Sequence, residues 1–129
     1  MHNMQSIPAQ SLYEQLGGEP AVDATVDIFY RKILSDDRVS HFFDDIDMDR
    51  QIAKQKGFLT MIFGGPVAYT GKDLRTGHAH LIQRGLNDSH VDVVIELIRE
   101  SLREAGAPEH LIAQVAKVAD SARADVLNR

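Results

Sequence analysis

Five side chains carry most of the chemistry open to this chain: His78, Tyr30, Gln51, Lys54 and Gln55. Neutral imidazole is a common metal ligand, and it needs a hydrogen bond on its second nitrogen to fix the tautomer. Upstream of His78 lie Phe29-Tyr30, Phe42-Phe43, the segment bearing Gln51, Lys54 and Gln55, and then Gly64-Gly65. Taken in order, these residues suit a flat metal macrocycle. An iron ligand would lie on one side, aromatic walls beside it, and a polar cluster opposite. His78 alone would justify none of this, because a lone helix histidine is more often just a half-buried polar residue.

His80 is the rival ligand. It lies two residues on and so points to a different helix face, which prevents the two from acting as a chelating pair. Leu74, His78 and Leu81–Ile82 fit one face, and the spacing favours His78. Cysteine is absent, which removes disulfides, thiolate ligands, iron–sulfur clusters and cysteine nucleophiles together. The formal net charge of -5 argues against nucleic acid as a partner. No apolar run approaches the roughly 20 residues of a membrane span, and the start MHNMQSIPAQ lacks the pattern of a secretory signal. A cytoplasmic monomer is the expectation.

With 129 residues, of which 43% are hydrophobic, one domain with a compact core is expected. Residues 1–10 read as a flexible arm and 11–129 as the folded domain. The elements that must position the chemistry are all helical. Residues 11–17 form a short helix closed by Gly17-Gly18. Pro20 suits a helix start, and Val22, Val26, Phe29 and Ile33 then recur at helical spacing. Ser35-Asp36-Asp37 breaks that helix, and Arg38 to Phe43 leads into the acidic turn DDID. Asp47 caps the next helix, with Ile52, Gln55, Leu59 and Ile62 as its stripe, and Gly64-Gly65-Pro66 ends it. Val67 to Asp73 reads as a loop and Leu74 to Arg84 as a shorter helix carrying His78. Asn87 caps a helix with the stripe Val91, Val94, Ile95, Ile98 and Leu102. Pro108 opens the last one, with Leu111, Val115, Val118, Ala122 and Val126 buried. This is an all-α chain with two long amphipathic helices at each end, so a helix-on-helix sandwich is expected. Segment 64–85 has too few apolar residues to organise itself, and a bound cofactor is the simplest remedy. His41, His90 and His110 read as surface or cap residues, and the charges at 44–50 and 96–104 as solvated faces.

The strings LYEQLGGEPAVDATVDIFYRKILSDDRVSHFF, QIAKQKGFLTMIFGG and LRTGHAHLI, in that order, resemble the group I truncated haemoglobins, and the likeness runs from Leu12 to the closing DVLN. The resemblance implies a shortened globin fold, a two-over-two helical sandwich around haem b. It implies His78 as proximal iron ligand, Tyr30 as the hydroxyl directed at bound ligand, and Gln51 and Gln55 as distal polar residues. It implies Phe43 against the porphyrin, with Val94 and Leu74 as pocket walls. Hydrogen-bond donors aimed at the partly negative outer oxygen of bound dioxygen contribute about 1–3 kcal/mol each in a dry pocket.

Lys54 stands where some cyanobacterial relatives carry a second axial histidine. Three readings are open: the amine binds iron, as in an algal relative; the ammonium pairs with a haem propionate; or it is solvated. Deprotonating a free lysine at pH 7 costs roughly 4.6 kcal/mol, which iron coordination would have to offset. Gly77 stands where several relatives place a basic residue for a propionate, a role that could fall to Lys54, Lys72, Arg75 or His80. Ala122 replaces the histidine that bonds covalently to haem in some relatives, so the haem is expected to be non-covalent. The resemblance implies O2, CO and NO as ligands, with nitric oxide detoxification through an external reductase, or oxygen binding, as the role. The competing readings are a cofactor-free helical regulatory or interaction module and a haem-based redox or gas sensor.

Overall fold

A computed structural model describes residues 11–44, 47–66 and 70–129, with the backbone alone at Met48. The N-terminal arm 1–10, Asp45 and Ile46 of the acidic turn, and residues 67–69 of the following loop lie outside the described residues. The described chain forms seven α-helices and one 3-10 helix: α1 (Leu12–Leu16), α2 (Glu19–Ser35), the 3-10 helix Ser40–Phe43, α3 (Met48–Ile62), α4 (Gly71–Gln83), α5 (Asp88–Glu104), α6 (Glu109–Ser121) and α7 (Arg123–Val126). No described helix is long and apolar enough to cross a membrane.

Local chemistry sets the helix ends. Ser11 and Glu14 form a reciprocal capping box at α1, satisfying donors that a helix start leaves orphaned. Gly17 closes α1 at φ 115, a left-handed conformation that favours glycine. Pro20 sits in the first turn of α2. Asp47 caps α3 by accepting from the Asp49 and Arg50 amides. Thr70 and Asp73 form a second capping box, at α4. Helix α4 therefore starts at Gly71, three residues before the start expected from apolar spacing. The signal was Thr70-x-x-Asp73, a cap with an acid at its third helical position.

The sandwich consists of α2 with α3 and α5 with α6, joined by packing of α2 on α5. The expected α2 stripe is buried: Val22, Val26, Phe29 and Ile33 are all core. They meet Leu59, Ile62 and Phe63 from α3 and its end, Leu97, Ile98 and Leu102 from α5, and Ile112 and Val115 from α6. Three expectations are corrected. Ile52 is 42% exposed and Val118 38% exposed, so neither belongs to the buried face of its helix. On α5, Val93 and Leu97 are buried while Val94 and Ile95 are half-buried; the buried arc is wider than the stripe assigned to it. The last helix also breaks at Ala122. No glycine or proline marks that break. Arg123 follows it and binds Asp88 and Asp92 on α5 as well as Asp120, so tertiary ion pairing accompanies the interruption.

Tyr13 ties α1 to the turn after α3. A Cβ at Gly65 would lie 2.5 Å from the Tyr13 ring, closer than van der Waals contact allows, so the ring would have to shift. Gly65→Ala is expected to cost about 1–3 kcal/mol by overpacking. In a Tyr13→Ala background the same change should cost less than half as much, as read by urea unfolding of all four proteins.

Candidate functional site

A cavity of about 850 Å³ opens between α3, α4 and α5, within the size range of cofactor and small-molecule sites. Its walls are apolar, with Phe43, Phe58, Val94 and Ile98 among them, and its rim carries Arg50, Lys54, Lys72 and His80. Asp47 and Asp73 also border it, but each carboxylate accepts backbone amides in a helix cap. The cations at the rim are not tied to caps.

His78 is the best-defined polar group in this cavity. It is half-buried on α4, and its Nδ1 lies 2.8 Å from the carbonyl oxygen of Leu74. A carbonyl can only accept, so Nδ1 carries the proton and Nε2 keeps its lone pair. Burial pulls the imidazole below its usual pKa, while the Leu74 bond opposes that shift. Neutral, oriented and lining a cavity, the ring has the form of a metal ligand. His80 also borders the cavity but is exposed.

Across the cavity, Gln51, Lys54 and Gln55 from α3 all contribute to the lining. Gln55 Oε1 is buried and has no hydrogen-bond partner among the described residues. A buried unpaired acceptor costs about 1–3 kcal/mol. A carboxamide can flip, so this side chain can present either a donor or an acceptor there. Lys54 is exposed and has no ion pair among the described residues. Lys56, two residues on, is paired with Asp23 at 3.0 Å and with Glu19.

Tyr30 and Leu74 are not among the lining residues. Tyr30 is buried beside the cavity wall, edge-on to Phe43 with ring centroids 6.4 Å apart, and burial raises its pKa. Leu74 is fully buried one turn before His78. Arg75 faces elsewhere: its Nε donates to Asp125 at 2.8 Å and it does not border the cavity. Of the four groups considered for a carboxylate at the rim, Lys54, Lys72 and His80 remain. Arg50 was missed, although its spacing of four from Lys54 places both on one helix face. His90 is a cap, its Nδ1 accepting from the Asn87 amide at 3.0 Å, yet it also borders the cavity. Ala119 and Val126 reach it from the C-terminal helices.

The residues present fit haem. No cluster of three metal-ligating side chains occurs among the described residues, so a metal held by His78 must bring other ligands of its own, as a porphyrin does. Apolar walls suit the ring and a cationic rim suits its two propionates. His78 would hold the iron, and the rim side chains Lys54, Lys72 and His80 would be available to the propionates.

Comparison with known proteins agrees. The bacterial-like globin family matches residues 11–128. A group 1 truncated haemoglobin of the cyanobacterium Synechocystis is 50% identical over 122 residues, covering 92% of this chain and 98% of that one. Among solved structures, the 2/2 haemoglobin of Synechococcus sp. PCC 7002, in the cyanomet state with covalently attached haem, superimposes with a TM-score of 0.85 at 41% identity, covering 93% of this chain and all of that one. The Fe(III) form of the Tetrahymena pyriformis truncated haemoglobin gives a TM-score of 0.82 at 43% identity, covering 92% and 98%. Variants of that protein with one tyrosine or either of two glutamines replaced give the same score. The fold, the cavity and these relatives together place the chain in the bacterial-like globin family, among the group 1 truncated haemoglobins, whose shared function is binding diatomic gases at haem.

Proposed function

We propose that this chain binds non-covalent haem b with His78 as the proximal iron ligand and holds O2, CO or NO on the opposite side. The observation that carries this reading is the 2.8 Å bond from His78 Nδ1 to the Leu74 carbonyl, which leaves Nε2 free to coordinate iron. Ferrous haem supplies reversible coordination of diatomic gases. The chain supplies orientation, water exclusion and hydrogen bonding. Phe43, Phe58, Val94 and Ile98 line an apolar slot, and Leu74 backs the proximal side.

Gln51 and Gln55 project donors from α3, and Tyr30 supplies a hydroxyl beside Phe43. The tyrosine and two glutamines altered in the Tetrahymena variants are spaced 21 and 4 residues apart, as are Tyr30, Gln51 and Gln55 here. That shared spacing supports a common distal polar set. The cellular reaction most in keeping with such a set is conversion of NO and O2 to nitrate, with one electron per cycle from an external reductase; oxygen binding is the simpler role. Ala122 stands where some relatives carry the histidine of a covalent haem bond, so the haem should be extractable.

Lys54 is assigned here as the sixth iron ligand in the absence of gas. It borders the cavity on the face shared with Gln51 and Phe58, and among the described residues it has no ion pair like those that hold Lys56. Pairing with a propionate is the competing role.

Hemin titration tests the whole reading. The purified protein should develop a Soret band at one equivalent; its absence would leave the helical-module reading standing. His78→Ala should weaken hemin binding at least tenfold and His80→Ala much less, and the reverse order would transfer the proximal role to His80. Wild type should give a low-spin ferric spectrum that becomes high-spin in Lys54→Ala, whereas an unchanged spectrum overturns iron ligation by Lys54. Tyr30→Phe should speed O2 dissociation about tenfold, the loss of one hydrogen bond of roughly 1.4 kcal/mol, as followed by stopped-flow displacement with CO.

A further inference from the structure

Helix α4 carries the histidine and is poorly equipped to hold itself in place. Leu74 is its one fully buried side chain, and its main packing partner among the described elements is α7. The contacts between the two are polar and specific. Arg75 donates from Nε to Asp125 Oδ1 at 2.8 Å and from Nη2 to the main-chain oxygen of Arg129 at 2.8 Å. Asn128 Nδ2 donates to the main-chain oxygen of Arg75 at 3.0 Å. The Asp125 carboxylate also crowds the start of α4: a Cβ at Gly71 would lie 2.7 Å from its Oδ2. An acidic group at that end is favoured by the helix dipole.

The segment from Arg123 to Arg129 is in turn anchored to the start of α5. Arg129 binds both oxygens of Asp88, at 2.8 and 2.9 Å. Arg123 binds Asp88 at 2.9 Å and Asp92 at 2.6 Å, and its side chain is only 19% exposed. Leu127 is buried. The chain of contacts therefore runs from α5, through residues 123–129, to Arg75, one turn before His78.

We propose that residues 123–129 are a strap that fixes α4 against α5, and that Arg75 and Asp125 are positioning residues for His78. This role rests on His78 being the iron ligand. The strap's hold on α4 does not, and the experiment separates the two.

Hydrogen exchange of the α4 amides is measured before hemin is added, in wild type, Asp125→Asn, Arg75→Glu and the charge-swapped pair Arg75→Glu with Asp125→Arg. Asp125→Asn should speed exchange across α4 about fivefold, what about 1 kcal/mol from a half-exposed ion pair yields, while exchange in the α2 and α5 cores stays as in wild type. The swapped pair should recover most of the protection. After loading, hemin loss to a scavenger apoglobin should quicken by a similar factor in Asp125→Asn, and the iron–histidine stretching band of the ferrous protein should shift. Equal α4 exchange in wild type and Asp125→Asn overturns the strap. Faster exchange with an unmoved iron–histidine band overturns the positioning role. A wild type that takes up no hemin overturns the haem reading and the role of His78 with it, and the exchange comparison still decides the strap.

Discussion

The hydrogen bond from His78 to the carbonyl one turn back decides what the cavity can do. It selects one tautomer, leaves one nitrogen with a lone pair, and sets the ring's rotation about its helix. The rest of the structure has to supply two things around it: a helix that stays where it is and a cavity of suitable shape. The two helix pairs provide the cavity, with Phe29, Ile33 and Ile98 serving at once as core and as cavity lining. Packing and ligand contact are not separate demands on these residues, so core substitutions here would alter the site as well as the fold.

Much of this was legible from residue types and spacing. The α2 stripe could be read because its apolar residues alternate by three and four against a polar face, and Asp47 because a cap acid precedes the periodic run. The start of α4 was obscured because its signal is the capping pair Thr70 and Asp73 rather than apolar spacing. The helix interruption at Ala122 leaves no mark in local sequence; its correlate is Arg123 reaching Asp88, 35 residues away. Ion pairs across such separations have no period to detect.

The site shows the same division. His78, Lys54, Gln51 and Gln55 could be placed on helix faces by counting, and they do line one cavity. Arg75 could not be sorted from its neighbours that way. It is one of several cations near a presumed carboxylate, and only the position of Asp125 shows that it is already engaged. The apolar-poor segment around α4 draws part of its support from residues 125–129, through contacts that no local pattern announces.

The Gln55 side-chain oxygen, buried without a partner among the described residues beside a cavity of this size, bears on the protein's abundance. A chain of 129 residues with a largely apolar cavity of about 850 Å³ leaves many dispersion contacts for a ligand to supply. Ligand binding compensates by mass action, each tenfold excess of free haem over its dissociation constant adding about 1.4 kcal/mol to the folded state. The folded fraction of such a chain therefore follows the haem supply, and proteolysis of the unloaded form would match globin level to haem synthesis without a dedicated regulator.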